Sequence, residues 1–240
     1  MHGQRPYCLS IAGFDPSGGA GILADIKTFE QNKVYGLGVL SARTCQNDSE
    51  FNSVRWMATD DMIAQIEPLL KFDVQAIKIG LIENIEILVD LVRYLKNQWS
   101  NAAIVWDPVL NASAGFQFHA KIEIPDVLQK AITLITPNSD EFEELGFSER
   151  LPSTAVLKKG GHRSYKKGTD TLLMANKSID FPGVEYRDAI EKHGTGCILS
   201  SAITAQLALG LNVAEACKAA KAYVEGVIMS NNLTLGYHHV

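Results

Sequence analysis

A chain of 240 residues, 46% of them hydrophobic, is long enough to bury a sizeable core and is read as one domain spanning residues 1–240. Its net charge of −5 argues against a general nucleic-acid binder, which needs a basic surface to displace counterions; a nucleotide substrate stays open, because main-chain amides can hold phosphate. No apolar run approaches the roughly 20 residues of a membrane span, residues 1–6 lack the apolar core of a signal peptide, and Cys8, Cys45, Cys197 and Cys217 lack metal-ligand spacing. The expectation is a cytoplasmic protein without membrane association, zinc site or disulfide framework, with Cys8 and Cys217 as buried thiols.

Tyr7 to Ala12 is a short apolar run closed by Gly13, which predicts a buried strand. The stretch Gly13-Phe14-Asp15-Pro16-Ser17-Gly18-Gly19-Ala20-Gly21 follows, and Ile22, Ile26 and Phe29 then recur at helical spacing. Strand, glycine-rich loop, helix is the order that leaves amides free at the carboxyl edge of a parallel sheet; a tight turn capped by Ser17 is the alternative. The loop is neither a dinucleotide fingerprint nor a Walker A loop, since no Gly-Lys-Ser/Thr follows. Val34 to Ala42 reads as a second strand and Arg43 to Ser49 as a polar loop. There Gln46 either offers its amide donor and acceptor to a heterocycle or is solvated.

Asp60 to Lys71 predicts a helix with Ile63, Ile66 and Leu70 inward, and Gln75 to Ile79 a strand closing on Gly80-Leu81. Ile85, Leu88, Val89, Val92 and Leu95 mark another amphipathic helix. Ala102 to Trp106 is a strand ending on Asp107-Pro108-Val109, where Asp107 either faces a ligand at the sheet edge or forms an Asp-Pro turn. Ile122 to Ala131 reads as a helix and Ile132 to Ile135 as a strand. Beyond it, Asn138 and Glu141 lie three apart across a helix start, which suits a hydrated Mg²⁺ or a capping pair. Ala155 to Lys159 is a strand ending at Gly160-Gly161-His162; Lys158 and Lys159 are solvated, or one of them reaches a nucleotide phosphate. Gly168 to Ala175 and Ser178 to Asp180 predict a hairpin around Asn176-Lys177.

His193-Gly194-Thr195-Gly196-Cys197 runs into an apolar segment, Ile198 to Leu209. Leu199, Ile203 and Leu207 recur every four residues while Ser200, Ser201, Thr204 and Gln206 fill other faces, predicting a helix with one buried stripe. A glycine-rich turn at a helix N-terminus presents unpaired N–H groups and roughly half a positive charge. It can therefore hold an anion without a cationic side chain, and the same field favours a thiolate at Cys197. An ordinary turn before a helix fits the local residues equally well. A last helix carries Val213, Ala216, Ala220, Val224 and Val227 on one side. Alternating strands and helices imply an α/β fold with a mostly parallel sheet covered on both faces. Gln46, Asp107, Asn138, Glu141 and Gly194–Cys197 all follow strands or open helices, which predicts one shared edge.

In their order and spacing, several motifs resemble one family over nearly the whole chain. They are Ala12-Gly13-x-Asp15-x-Ser17-Gly18-Gly19-Ala20-Gly21-Ile22-x-Ala24-Asp25, Thr44-x-Gln46-Asn47, Lys78-Ile79-Gly80, Asp107-Pro108-Val109, Thr136-Pro137-Asn138-x-x-Glu141, Lys159-Gly160-Gly161-His162 and His193-Gly194-Thr195-Gly196-Cys197. The family is the hydroxymethylpyrimidine/phosphomethylpyrimidine kinases of thiamine biosynthesis, in the ribokinase superfamily. The resemblance implies a ribokinase-like three-layer sandwich. It also implies ATP-dependent phosphorylation of the hydroxymethyl group of 4-amino-5-hydroxymethyl-2-methylpyrimidine, followed by a second transfer giving the diphosphate.

By the same resemblance, Cys197 stands where the superfamily usually has an aspartate base. The amides of Gly194, Thr195, Gly196 and Cys197 serve the transferring phosphoryl group, and Mg²⁺ lies near Asn138 and Glu141, with Asp107. Gly13, Asp15, Gly19, Gln46, Leu81 and Val109 line the pyrimidine pocket, Lys159 and Asp170 lie on the nucleotide side, and the assembly is a homodimer. The chain departs from the family pattern at Phe14 and Pro16 in the first loop, at Glu83-Asn84 after Gly80-Leu81-Ile82, and in the short stretch Gly146 to Thr154 before the next strand. It also closes early, on Tyr237-His238-His239-Val240, so thinner nucleotide-side cover is expected. The alternatives are a pyridoxal kinase of the same superfamily and a binding protein that captures the pyrimidine without phosphorylating it.

Overall fold

The structure, a computed structural model, describes residues 4–110, 124–147, 154–161, 168–175, 177–184 and 191–239. One sheet contains β1 (Tyr7–Phe14), β2 (Tyr35–Gln46), β3 (Phe51–Trp56), β4 (Val74–Ile79), β5 (Ala103–Trp106), β6 (Leu134–Ile135), β7 (Ala155–Lys158), β8 (Asp170–Met174) and β9 (Lys177–Phe181). Their order is β3-β2-β1-β4-β5-β6-β7-β8-β9. The run from β2 to β7 is parallel, so those six carboxyl ends share one edge; β3 and β8 flank it antiparallel. From β1 the chain builds outward to β2 and β3, then returns to place β4 on the other side of β1. The gap between β1 and β4 is thus where strand order reverses, the place where open α/β sheets bind ligands.

The helices are α1 (Gly21–Gln31), α2 (Thr59–Ile66), α3 (Ile85–Gln98), α4 (Asp126–Ala131), α5 (Ser139–Glu144), α6 (Thr195–Ala208) and α7 (Val213–Met229). Strand alternation feeds two cores. Leu9, Ile11, Ile77 and Ile79 face α2 and α3, joined by Leu128 of α4 and Phe142 of α5, whereas Cys8, Ala76, Val105 and Leu134 face α1, α6 and α7. This is the three-layer α/β arrangement expected. Among the described residues no helix is long and apolar enough to cross a membrane.

Several elements differ from expectation. β2 continues through Gln46 and pairs with β3, a strand the sequence reading lacks; Asn52, Ser53 and Arg55 mask its alternation at the sheet edge. The helix predicted over Asp60 to Lys71 ends at Ile66 and tightens into a 3₁₀ turn over Glu67–Leu69, because Pro68 cannot donate to the helical ladder. Leu70, expected inward, is 38% exposed. The helix predicted from Ile122 is described from Asp126, after Pro125 has supplied its N-cap; Ile122 itself lies outside the described residues, as do His162 and Asn176. Of the short connection before β7, residues 148–153 lie outside the described residues; β6 and β7 are adjacent parallel strands, and α5 lies on the crossover between them.

The largest difference is α6. Rather than one buried stripe it is enclosed from Ile198 through Ala205, and Ser200, Ser201 and Thr204 are fully buried. It packs across β1, β4 and β5 and against α1 and α7. Its first turn therefore sits beside the reversal point.

Candidate functional site

The first glycine loop is built around a buried carboxylate. Asp15 Oδ1 accepts from Ser17 N at 2.9 Å, and Oδ2 accepts from Ala20 N at 2.9 Å and meets His193 Nε2 at 2.9 Å; Ser17 Oγ donates to both oxygens. Burial alone would raise its pKa, but the bonds from His193, Ser17 and Ala20 outweigh that and hold Asp15 below its ordinary value. Two expectations change. The loop does not leave its amides free, because Asp15 and Ser17 consume those of Ser17, Gly18, Gly19 and Ala20. Nor does the Asp15 side chain line a pocket; it is 0% exposed and ties the first loop to His193.

That tie brings the second glycine motif into place. Gly194 has φ 78°, and a Cβ there would lie 2.0 Å from Gly19 O, so only glycine allows the two loops to touch. Beyond it the N–H groups of Thr195, Gly196 and Cys197 have no protein acceptor among the described residues; the first helical bond runs from Ile198 N to Gly194 O. These are the free amides the sequence predicted, in the second motif rather than the first. Lys159 stands beside this turn: a Cβ on Gly196 would lie 3.2 Å from its Nζ.

Cys197 corrects another expectation. Its sulfur accepts the Gly21 N–H and feels the Lys78 ammonium, yet burial outweighs both and pushes the thiol up to about 11. The resting group is a thiol, since desolvation of a thiolate exceeds what one helix terminus returns.

Lys159 joins the acidic residues. Its Nζ donates to Asp107 Oδ1 at 2.7 Å and lies 3.8 Å from Glu141 Oε2. Asp107 also accepts from Thr136 Oγ1 and Ser200 Oγ, each at 3.1 Å. Burial would raise Asp107, but Lys159 and Lys78 hold it below its ordinary value; Glu141, farther from the cation and beside a second carboxylate, is pushed up to about 7 chiefly by burial. Asn138 does not turn with Glu141 toward a shared ion. Its Oδ1 accepts Glu141 N at 2.8 Å while Glu141 Oε2 accepts Asn138 N at 2.7 Å, so the capping alternative is the one present. Lys158 points elsewhere, over the Phe142 ring. Among the described residues no three His, Cys, Asp or Glu side chains cluster to hold a metal by themselves.

At the other end of the edge, Gln46 closes β2 half-buried, and its side-chain amide makes no hydrogen bond among the described residues. Gly13 lies against Leu81, where an added Cβ would meet Cδ2 at 3.0 Å, and Val109 follows Asp107 as a half-buried neighbour. Asp170 stands apart from these residues. Its Oδ1 accepts Gly160 N at 2.7 Å and its Oδ2 accepts Lys221 Nζ at 2.9 Å, so its carboxylate anchors the turn after β7 to α7 instead of facing a nucleotide.

The sequence reading missed three connections. Ser200 reaches Asp107; Lys78 pairs with Asp25 beneath Cys197; and residues 231–235 cover the turn. In that last segment Lys192 Nζ donates to Asn231 O at 2.6 Å and to Leu233 O, and His193 N donates to Thr234 O at 2.9 Å. Thr234 Oγ1 donates to Asp48, two residues beyond Gln46, and Leu235 packs on Gly19. The terminal segment thereby links the Gln46 loop to the amide turn. His238 is held by Tyr223 OH at 3.0 Å, and burial lowers it to about 4.

Residues 15–240 match the family model for phosphomethylpyrimidine kinase. The chain belongs to that family. Among its relatives, the hydroxymethylpyrimidine/phosphomethylpyrimidine kinase of Rhizobium meliloti is 34% identical, over 92% of this chain and 89% of that protein. The protein of the same name from Aquifex aeolicus is 32% identical, over 95% and 97%. Among solved structures, a phosphomethylpyrimidine kinase from Clostridium difficile superposes with a TM-score of 0.72 at 31% identity, covering 92% of this chain and 98% of that one. An ADP complex of Bacillus subtilis pyridoxal kinase gives 0.76 at 28%, covering 94% and 92%. This phosphomethylpyrimidine kinase family member is accordingly a kinase of ribokinase-like fold.

Proposed function

We propose that the chain transfers the γ-phosphoryl group of ATP to the hydroxymethyl oxygen of 4-amino-5-hydroxymethyl-2-methylpyrimidine, and then phosphorylates the monophosphate, in thiamine biosynthesis. The observation that carries this reading is the turn of three unpaired amides, Thr195 to Cys197, beside Lys159 at the edge where strand order reverses. Phosphoryl transfer spreads negative charge over the oxygens of the moving group, so fixed N–H dipoles and an adjacent ammonium supply most of what catalysis requires.

The alcohol oxygen forms its bond to phosphorus as the bond to the ADP leaving oxygen breaks. Its proton passes to the Cys197 sulfur in the ionised fraction of the enzyme, which leaves that sulfur as the thiol. In a loose transition state the alcohol keeps its proton until late, and with the thiol raised to about 11 the transfer depends on the small ionised fraction of the sulfur. Gln46 presents an unengaged amide to the aminopyrimidine, with Gly13, Leu81 and Val109 as walls; Asp15 and Gly19 act from behind by fixing the loop.

Asp107 and Glu141 offer hard oxygens, and the raised Glu141 marks a place where buried negative charge is under-neutralised. That donor pair fits Mg²⁺ keeping much of its shell as water and phosphate oxygen, with Asn138 bracing Glu141. The ion when bound would neutralise nucleotide phosphates.

The solved pyridoxal kinase of the same fold supports a second reading, in which the alcohol belongs to pyridoxal. Measuring kcat/KM for both alcohols with Mg-ATP separates the two, and the pyrimidine is expected to be preferred. A tenfold preference for pyridoxal, about 1.4 kcal/mol of transition-state discrimination, would reverse the assignment. Tight pyrimidine binding with no ADP formed would identify a binding protein instead.

A further inference from the structure

Four buried polar side chains beneath the amide turn have no part in the transfer just described. Lys78 of β4 and Asp25 of α1 form an ion pair with both side chains 0% exposed, Lys78 Nζ donating to Oδ2 at 2.8 Å and Oδ1 at 3.0 Å. Ser10 Oγ donates to Asp25 Oδ2 at 2.6 Å and Ser201 Oγ to Oδ1 at 2.5 Å. A buried pair is a poor device for stability alone, because desolvating two ions offsets their attraction and apolar residues of similar volume do as well.

Its location suggests another task. Ser201 lies one helical turn beyond Cys197 on α6, so the two side chains share a face about 5–6 Å apart. Toward the sheet edge, Lys78 Nζ lies 2.9 Å from the place a Cβ on Gly80 would occupy. The ammonium therefore sits between the Gly80 turn, beside the substrate wall at Leu81, and the helical turn that carries the sulfur.

We propose that Lys78 is a positioning residue whose charge, fixed by Asp25, Ser10 and Ser201, favours the ionised sulfur of Cys197. The inference rests on Cys197 as the proton acceptor. The other charges facing that sulfur are Asp25 from α1, Asp107 beyond β5 and Lys159 beyond β7, and the Gly21 N–H donates to it. Lys78 is the strongest influence favouring the thiolate, and the two aspartates oppose it. Asp25 thus has two effects, holding the ammonium in place and partly cancelling its field.

The test follows alkylation of Cys197 by iodoacetamide against pH, read by mass spectrometry in a Cys45→Ser background, with steady-state kinetics on the same proteins. The pair Asp25→Asn with Lys78→Met removes both charges without stranding either. It is expected to raise the half-alkylation pH by about one unit and lower kcat at neutral pH about tenfold, leaving KM for the pyrimidine within about twofold. Asp25→Asn alone keeps the ammonium and removes an opposing anion, so its half-alkylation pH is expected to fall. Shifts of opposite sign are not what general loosening of the core produces.

Either variant decides if the other does not fold. An unshifted midpoint in a folded variant, or shifts of the same sign in both, overturns the inference. Shifted midpoints with unchanged kcat would support the link from Lys78 to the sulfur while refuting Cys197 as the proton acceptor, so the two failures are distinguishable.

Discussion

Gly194→Ala asks whether the amide turn depends on the close approach of the two glycine motifs. At φ 78° the backbone alone costs an L-residue about 1–2 kcal/mol. The new Cβ would also lie 2.0 Å from Gly19 O and 2.7 Å from Gly19 C, main-chain atoms that cannot rotate aside, and relieving such overpacking costs about 1–3 kcal/mol. A combined loss of about 3 kcal/mol lowers Tm by about 6–12 °C in a chain of this size. Gly210→Ala supplies the control, since Gly210 has φ 92° with nothing within 4 Å of its added Cβ and bears the backbone cost only. Thermal unfolding of both variants isolates the clash as the difference, and turnover should fall in Gly194→Ala alone. Equal Tm shifts, or wild-type turnover in Gly194→Ala, would refute the argument that the loops position the amides by contact.

Cys197→Ala is expected to lower kcat by about two to four orders of magnitude with little change in pyrimidine KM, and wild-type turnover would remove the sulfur from the mechanism. With the thiol raised to about 11, wild-type kcat should climb with pH across the alkaline range, and a flat profile would argue against an ionising sulfur. Gln46→Leu should act mainly through KM, because the ring nitrogens and amine of the bound pyrimidine lose partners; an unchanged KM refutes that contact. Glu141 binds its proton more tightly folded, at about 7, than its ordinary 4.5, so stability contributed by the protonated form is lost as pH rises through that interval. Glu141→Gln should flatten this loss in denaturant titrations between pH 4.5 and 7, and an unaltered slope would show that Glu141 is not its source.

The parallel core of the sheet was legible because Tyr7–Ala12, Gln75–Ile79 and Ala102–Trp106 are apolar runs bounded by glycine, proline or charge. β3 was not, since an edge strand needs only one buried face and its polar residues look like loop. The edge gathering the site followed from topology alone, but the partners of its side chains did not. Ser200 and Ser201 read as positions off the buried stripe because hydropathy cannot distinguish a serine facing water from one bonded to a distant buried carboxylate. The same limitation hid the task of Asp15, whose acceptors are satisfied by its own loop and by a histidine from the far end of the chain. Lys78 did leave a trace: a lysine at an inward-facing position of an otherwise apolar strand requires a buried partner, and Asp25 already stood in the motif that follows β1.

The latch made by Lys192, His193 and Thr234 has a consequence for how the protein is made. While a nascent chain is still being extended on the ribosome, β1 and its glycine loop can fold early, yet Asp15 waits for His193, Gly19 for Gly194, and both for the segment around Leu235. Competence to handle phosphate therefore arrives only once the segment around Leu235 has been made, so a polypeptide stalled or released before that point would carry a nearly finished sheet but no working anion cradle.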